Sequence, residues 1–265
     1  MNELSEKHPG STGFTTENGT HCRVRLFDRH GGVSRELYQS LNVGDNVGDE
    51  KEAVLENRLR VRTLSTAARL LSAKQVHGTG IYCLTEPLTE DREVDGVDGL
   101  ITDLPDVGLM IQQADCQAVL FFDPVREVIA AVHCGWRGSV QGILARVITV
   151  MAKNYGTVPA DLHGVISPSL GPCCAEFVNY REELPREFRQ FMVRDNYFDF
   201  WRISRYQLMS AGMSEQRIRT SGICTCCSDE YFSYRRATRM SQGVTGRNCS
   251  VITLEKAVTT SNTPK

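Results

Sequence analysis

Residues 128–138 read Val-Ile-Ala-Ala-Val-His-Cys-Gly-Trp-Arg-Gly and join a strand, a turn and a helix start. Val128–Val132 is a short apolar run typical of a buried strand, and His133 stands at its end. Gly135 and Gly138, on either side of Trp136-Arg137, suggest a tight strand-to-helix turn. Ser139 is placed to cap the helix that follows, in which Ile143, Leu144, Val147, Ile148 and Met151 recur at spacings of three and four. Arg137 and the 135–138 amides then lie near a helix N-terminus, where anions are favoured. An Arg there can grip phosphate bidentately. The other reading is a Trp-anchored structural turn with Arg137 in solvent.

Outward from this stretch, Ile81–Leu84, Gly99–Thr102, Gly108–Gln112 and Ala118–Phe122 read as further short buried strands. Arg23–Phe27 alternates as a strand does, and Cys249–Leu254 is a last one. Asp49 can cap a helix through Glu52, Val54, Leu55 and Leu59. A clear helix runs from Asp199 to Ala211 and stops at Gly212. Several strands precede each helix. That order predicts an α/β, α+β-like architecture with helices flanking sheets, rather than strict β-α alternation.

The chain has 265 residues with 41% hydrophobic and 23% charged side chains, as a soluble globular protein does. A net charge of −2 gives no general attraction to nucleic acid or to acidic membranes. Arg58, Arg60 and Arg62 are interleaved with apolar residues and read as one face of an element. No apolar run reaches the roughly 18 residues that span a bilayer, and the first residues lack a signal peptide's apolar centre. A cytoplasmic location is expected, so the ten Cys should be thiols or metal ligands rather than disulfides. A single domain over 21–255 is expected, with flexible ends at 1–20 and 256–265.

The chemistry rests on His77 in Lys-Gln-Val-His-Gly, Cys116 in Ala-Asp-Cys, and His133. His/Cys/His is a natural three-ligand shell for zinc, and three protein ligands leave a fourth position for water or substrate, as catalytic sites do. Cys116 is otherwise a small buried hydrophobe or a nucleophile. Asp115 can orient a histidine or act as a general base. The remaining thiols fall in two groups, Cys173-Cys174 and Cys224-Thr225-Cys226-Cys227. They could build a second, structural zinc site. Their spacing does not read as the usual Cys-x2-Cys knuckle, and free thiols are the expectation.

These residues fall in ordered blocks. Gly31-Gly32-Val33-Ser34, Ser40–Gly44 and Asn57-Arg58 come first, then Gln75–Gly78 and Asp98–Thr102. Ala114-Asp115-Cys116 and His133–Gly138 are the most specific, and Ser169–Cys174, Asp199–Arg202, Cys224–Cys227, Phe232–Arg236 and Thr245–Arg247 follow. Together they resemble the YfiH family, also called the laccase-domain or multicopper polyphenol oxidoreductase family. The resemblance implies a layered α/β/β/α sandwich similar to the catalytic domain of cytotoxic necrotizing factor toxins. It implies a metal site, usually zinc with copper as an alternative, at His77, Cys116 and His133. It implies phosphorolysis of adenosine, inosine and methylthioadenosine, and deamination of adenosine. Asp115, Cys116 and Arg137 are the expected catalytic residues, and Asn42, Arg58 and Arg137 the expected substrate contacts. The expected partners are a nucleoside and phosphate, with no nucleic acid or membrane, in a monomer or homodimer. The family often has Ala or Gly in place of Cys134, so a second sulfur stands beside His133; the Ala-Asp-Cys context favours Cys116 as the ligand.

Three other readings stand beside the nucleoside enzyme. A copper phenol oxidase would need many His for a trinuclear cluster, and the chain has six. A metal-free thiol hydrolase or amidase would use Cys116 as nucleophile and His133 as base, in line with the peptidoglycan-editing role described for some family members. A binding protein would keep the His/Cys/His set without turnover.

Overall fold

The structure is a computed structural model that describes the backbone of residues 11–15 and all of residues 21–255. The first part of the chain forms β1 (Ser11–Thr15), β2 (His21–Leu26), α1 (Lys51–Leu64), β3 (Arg69–Lys74), β4 (Ile81–Leu84), β5 (Arg92–Asp95) and β6 (Gly99–Thr102). The middle forms β7 (Val107–Gln113), β8 (Gln117–Asp123), β9 (Val128–Cys134), α2 (Trp136–Val140), α3 (Ile143–Tyr155) and β10 (His163–Ile166). The last part forms α4 (Tyr180–Glu183), β11 (Met192–Arg194), β12 (Tyr197–Phe198), α5 (Phe200–Ser210), β13 (Ile218–Thr220), α6 (Tyr234–Met240) and β14 (Asn248–Glu255).

Two six-stranded sheets result, in the orders β1-β2-β14-β7-β3-β5 and β13-β10-β8-β9-β6-β4. The period of two along each strand sorts its side chains between layers. Leu109, Ile111, Leu120, Phe122, Ile129, Ala131 and Ile252 meet between the sheets. Their neighbours Val119, Phe121, Ala130 and Val132 face Ile143, Leu144, Val147 and Met151 of α3. On the far side Met110 and Val251 pack with Val61 of α1. The layers therefore run helix, sheet, sheet, helix, as the resemblance implied.

Two expected caps differ. Asp49 does not cap α1, whose N-cap is Glu50; its Oδ2 accepts instead from Ser34 Oγ and Asn42 Nδ2. Ser139 lies inside α2, and α3 starts after Gly142, whose φ of +76° breaks the helix in two. Asp199 does cap α5, accepting from the Arg202 amide. Ser11–Thr15, within the stretch expected to be loose, pairs antiparallel with β2. Residues 1–10, 16–20 and 256–265 lie outside the described residues. Among the described residues, no helix is long and apolar enough to cross a membrane. Arg58, Arg60 and Arg62 all lie on α1 and are engaged with Glu93, Glu56 and Asp91.

Candidate active site

Sheet topology brings the three donors together. The 75–80 segment leaves β3 in the first sheet and enters β4 in the second. The Ala114-Asp115-Cys116 turn likewise carries β7 of the first sheet into β8 of the second. Both crossings lie beside the end of β9, where Ala118 pairs with His133. His77 and Asp115 hold positive φ, +59° and +87°. Such strain costs on the order of 1–3 kcal/mol per residue and concentrates at functional sites.

The donor atoms of His77, Cys116 and His133 all lie within 4.8 Å of one another. Cys116 Sγ is 3.8 Å from His77 Nε2, and the two imidazoles meet edge-on at 4.7 Å between centroids. His77 is exposed, Cys116 half-buried and His133 buried, so the cluster has a protein side and an open side. Burial opposes ionisation of Cys116, yet the charge and hydrogen bond of His133, and then those of His77, bring its thiol down to about 6. Burial also disfavours a charged His133, but the Cys116 sulfur and the Asp98 carboxylate raise it to about 9. A thiolate is the form of cysteine that ligates metals, and two imidazoles with one thiolate fit a metal ion. Cys134 is not the donor. It packs in the core on the α3 side, and burial pushes its thiol up to about 12.

One residue that sequence reasoning gave no role organises the site. Asp98 is fully buried, and its Oδ1 lies 2.8 Å from His133 Nδ1. The same carboxylate accepts from the amides of Val76, His77 and Gly78 at 3.2, 2.9 and 2.8 Å. Burial would raise its pKa, but the hydrogen bond and charge of His133 and the Gly78 and Val76 amides lower it from the usual value. One carboxylate thus fixes the His133 tautomer, turns Nε2 toward the cluster, and holds the loop that carries His77. This is the orienting role expected of Asp115. The Asp115 carboxylate reaches no histidine; it accepts from Thr225 Oγ1 and the Arg235 amide, both at 2.6 Å.

Two hollows meet at the cluster. A cleft of about 660 Å³ is lined by Asp115, Trp136, Arg137, Phe177 and Phe200 among others, a size suited to a small-molecule ligand. A second hollow, about 420 Å³, includes the polar side chains Lys74, Gln75, Glu93, Gln112 and Arg247 in its lining. His77, Cys116 and Tyr234 line both. Arg137 stacks its guanidinium 5.2 Å from the Trp136 ring and has no carboxylate partner among the described residues. Tyr234 and Arg247 were visible only as parts of motif blocks.

Two expected substrate contacts are displaced by the fold. Asn42 is fully buried and lines neither hollow. Its Nδ2 donates to Gly44 O and Asp49, and its Oδ1 accepts from the Gly44 and Arg247 amides. Arg58 also stands behind the wall, donating to Val43 O and pairing with Glu93 at 3.0 Å. Asn42 holds loops, and Arg58 ties α1 to Val43 and to Glu93 of β5.

Gly135 leaves the room the donors need. A Cβ there would stand 2.8 Å from His77 Cδ2 and 3.1 Å from Cys116 Sγ. Gly135→Ala is therefore expected to spread the cluster and weaken metal retention about tenfold or more, with a stability cost of about 1–3 kcal/mol. Metal retained on dialysis reads this directly, and wild-type retention would show that the cluster yields freely.

A family model for multi-copper polyphenol oxidoreductase laccases matches residues 23–255. A Geobacillus stearothermophilus protein named purine nucleoside phosphorylase YlmD is 32% identical over 248 residues, covering 86% of this chain and 88% of that one. Escherichia coli purine nucleoside phosphorylase YfiH is 32% identical, covering 85% and 91%. The crystal structure of the Bacillus licheniformis hypothetical protein YfiH superposes with a TM-score of 0.80 at 28% identity, over 94% of this chain and 98% of that one.

Proposed function

This chain belongs to the multi-copper polyphenol oxidoreductase laccase family, and from its site we propose that it is a zinc-dependent purine nucleoside enzyme. Its reactions are phosphorolysis of adenosine, inosine and methylthioadenosine, and hydrolytic deamination of adenosine. The observation that carries this reading is the His77/Cys116/His133 cluster, whose His77 and Cys116 line both an aromatic cleft and a second hollow. The names of the relatives support it. Among the described residues the cluster contributes two histidines, too few for the many-histidine copper assembly that oxygen reduction requires.

His77, Cys116 and His133 would hold the zinc, which supplies Lewis acidity at neutral pH. Trp136, Phe177 and Phe200 offer flat apolar surface for a purine ring, with Phe177 5.0 Å from Phe200 and 6.1 Å from Trp136 between centroids. Arg137 can hold phosphate beside the ribose, so that a phosphate oxygen bonds to C1′ as the bond from C1′ to the base breaks. In deamination water adds at C6 and ammonia leaves. Asp115, fixed beside Cys116 by Thr225 and Arg235, accepts and returns the proton.

Zinc-loaded protein given adenosine and phosphate should yield adenine and ribose 1-phosphate, together with inosine and ammonia. Without phosphate only the second pair should form. Absence of all four products would end the reading. Arg137→Ala should cut phosphorolysis about 10–100-fold, the worth of a charged hydrogen bond of about 1.5–3 kcal/mol. Deamination, which needs no anion, should change little. Equal loss of both would make Arg137 structural.

A further inference from the structure

Outside the active-site cluster, one other group of donors among the described residues can hold an ion. The sulfurs of Cys173, Cys174, Cys224 and Cys227 all lie within 4.8 Å of one another. Cys227 Sγ is 3.4 Å from both Cys173 Sγ and Cys174 Sγ. None of the four is in a disulfide, whose sulfurs would stand about 2.05 Å apart. A tetrahedral zinc with Zn–S of about 2.3 Å sets its sulfurs about 3.8 Å apart, within the observed span. We propose that these four cysteines form a second, structural site for a zinc-class divalent cation, which staples the 170–176 loop to the 224–228 turn.

The spacing supports this, although the thiols are unbridged as expected. Cys224 and Cys227 are separated by two residues, and they are the pair that meets Cys173 and Cys174. The Cys227 and Ser228 amides both donate to Cys224 O, which turns the two sulfurs to one side. Opposite, the Cys174 and Ala175 amides donate to Gly171 O and close the turn that carries the adjacent cysteines. The Gly171 amide donates to Cys224 Sγ at 3.2 Å, as an amide does to a thiolate. A Cβ on Gly171 would meet Cys224 Cβ at 2.9 Å, so glycine is what permits that approach.

Charge supports it independently. Four thiolates around one divalent cation leave an anionic centre. Three guanidinium groups face the carbonyls of these same loops. Arg194 donates to Cys173 O, Arg235 to Cys174 O and Glu176 O, and Arg236 to Thr225 O, Cys226 O and Ser228 O. None of the three has a carboxylate partner among the described residues. Loading exchanges thiol protons for the metal and needs no oxidant, whereas bridging the cysteines in pairs would need one. The staple also bears on the cleft, because Leu170, Ala175, Glu176 and Phe177 line it.

The test uses the full chain expressed with zinc and measures metal per chain together with sulfur coordination by X-ray absorption. Wild type should carry about two zinc ions and Cys116→Ser about one. The ion left in Cys116→Ser should show four sulfurs at about 2.3 Å. Cys173→Ser/Cys227→Ser should lose that ion and melt at lower temperature. Should that variant not fold, the coordination of the Cys116→Ser protein decides alone. One ion in both wild type and Cys116→Ser, sulfur-only in each, would support this site and count against the active-site metal. A Cys116→Ser protein without zinc, its four thiols free to alkylation or paired as disulfides by mass spectrometry, would overturn the proposal.

Discussion

Cys116→Ser is expected to fold, to lose the proposed active-site zinc, and to lose the proposed phosphorolysis and deamination together. Serine nearly matches cysteine in shape, and Cys116 is only half-buried, so little packing is disturbed. A serine hydroxyl does not ionise near neutral pH, whereas the Cys116 thiol is already held at about 6 despite burial. Loss of one of three protein ligands should lower zinc affinity by orders of magnitude and activity at least 10³-fold. Zinc content and both rates, measured on one preparation, check this. A variant that keeps one activity would separate the two reactions and place one of them elsewhere.

Asp98 carries the second large effect. Asp98→Ala strips the acceptor from three amides and from His133 Nδ1 in a fully buried position. Removing one partner of such a buried network costs about 3–5 kcal/mol, which lowers the melting temperature by about 6–20 °C in a chain of this size. Asp98→Asn nearly keeps the shape but not the negative charge. It should fold better than the Ala variant and still lose zinc affinity by about 10–100-fold, as such supporting carboxylates do. Calorimetry and zinc titration of the pair give the result. Wild-type affinity in Asp98→Asn would show that this carboxylate serves only the loop.

The buried strands of the second sheet were legible because β6, β8 and β9 are apolar on both faces, one toward the first sheet and one toward α3. The expected ranges over 81–84 and 99–102 match β4 and β6, and those within 107–134 differ only at their ends. β10 and β13 were missed since they are three or four residues long and contain His163 and Arg219. β3 begins and ends on charged residues and lies parallel to β5 and β7, pairings no local pattern announces. The Asp49 cap failed for a reason of tertiary structure: its carboxylate is taken up by Ser34 and Asn42 before it can serve α1.

The site divides the same way. His77, Cys116 and His133 stood out by residue type and context, and the two sheet crossings unite them. Asp98 did not, because a single Asp just before the expected strand Gly99–Thr102 carries no ligand pattern of its own. Its role depends on β6 lying between β4 and β9, which places its carboxylate between two distant histidine segments. Asn42 and Arg58 were expected at the substrate, yet Asn42 spends its polar atoms on the 44 and 247 loops and on Asp49, and Arg58 is engaged by Val43 O and by Glu93 of β5. In the four-cysteine group, the pairing of Cys224 with Cys227 mattered more than the adjacency of Cys226 and Cys227.

A metal held by His77, Cys116 and His133 is expected to support the nucleoside chemistry. The most direct measurement follows adenosine consumption, with phosphate present, in one preparation before chelation, after chelation, and after return of zinc. The rate should collapse on chelation and recover with zinc, with adenine and inosine as the products. A rate that survives chelation and falls only on thiol alkylation would contradict this and make Cys116 the nucleophile of a metal-free enzyme.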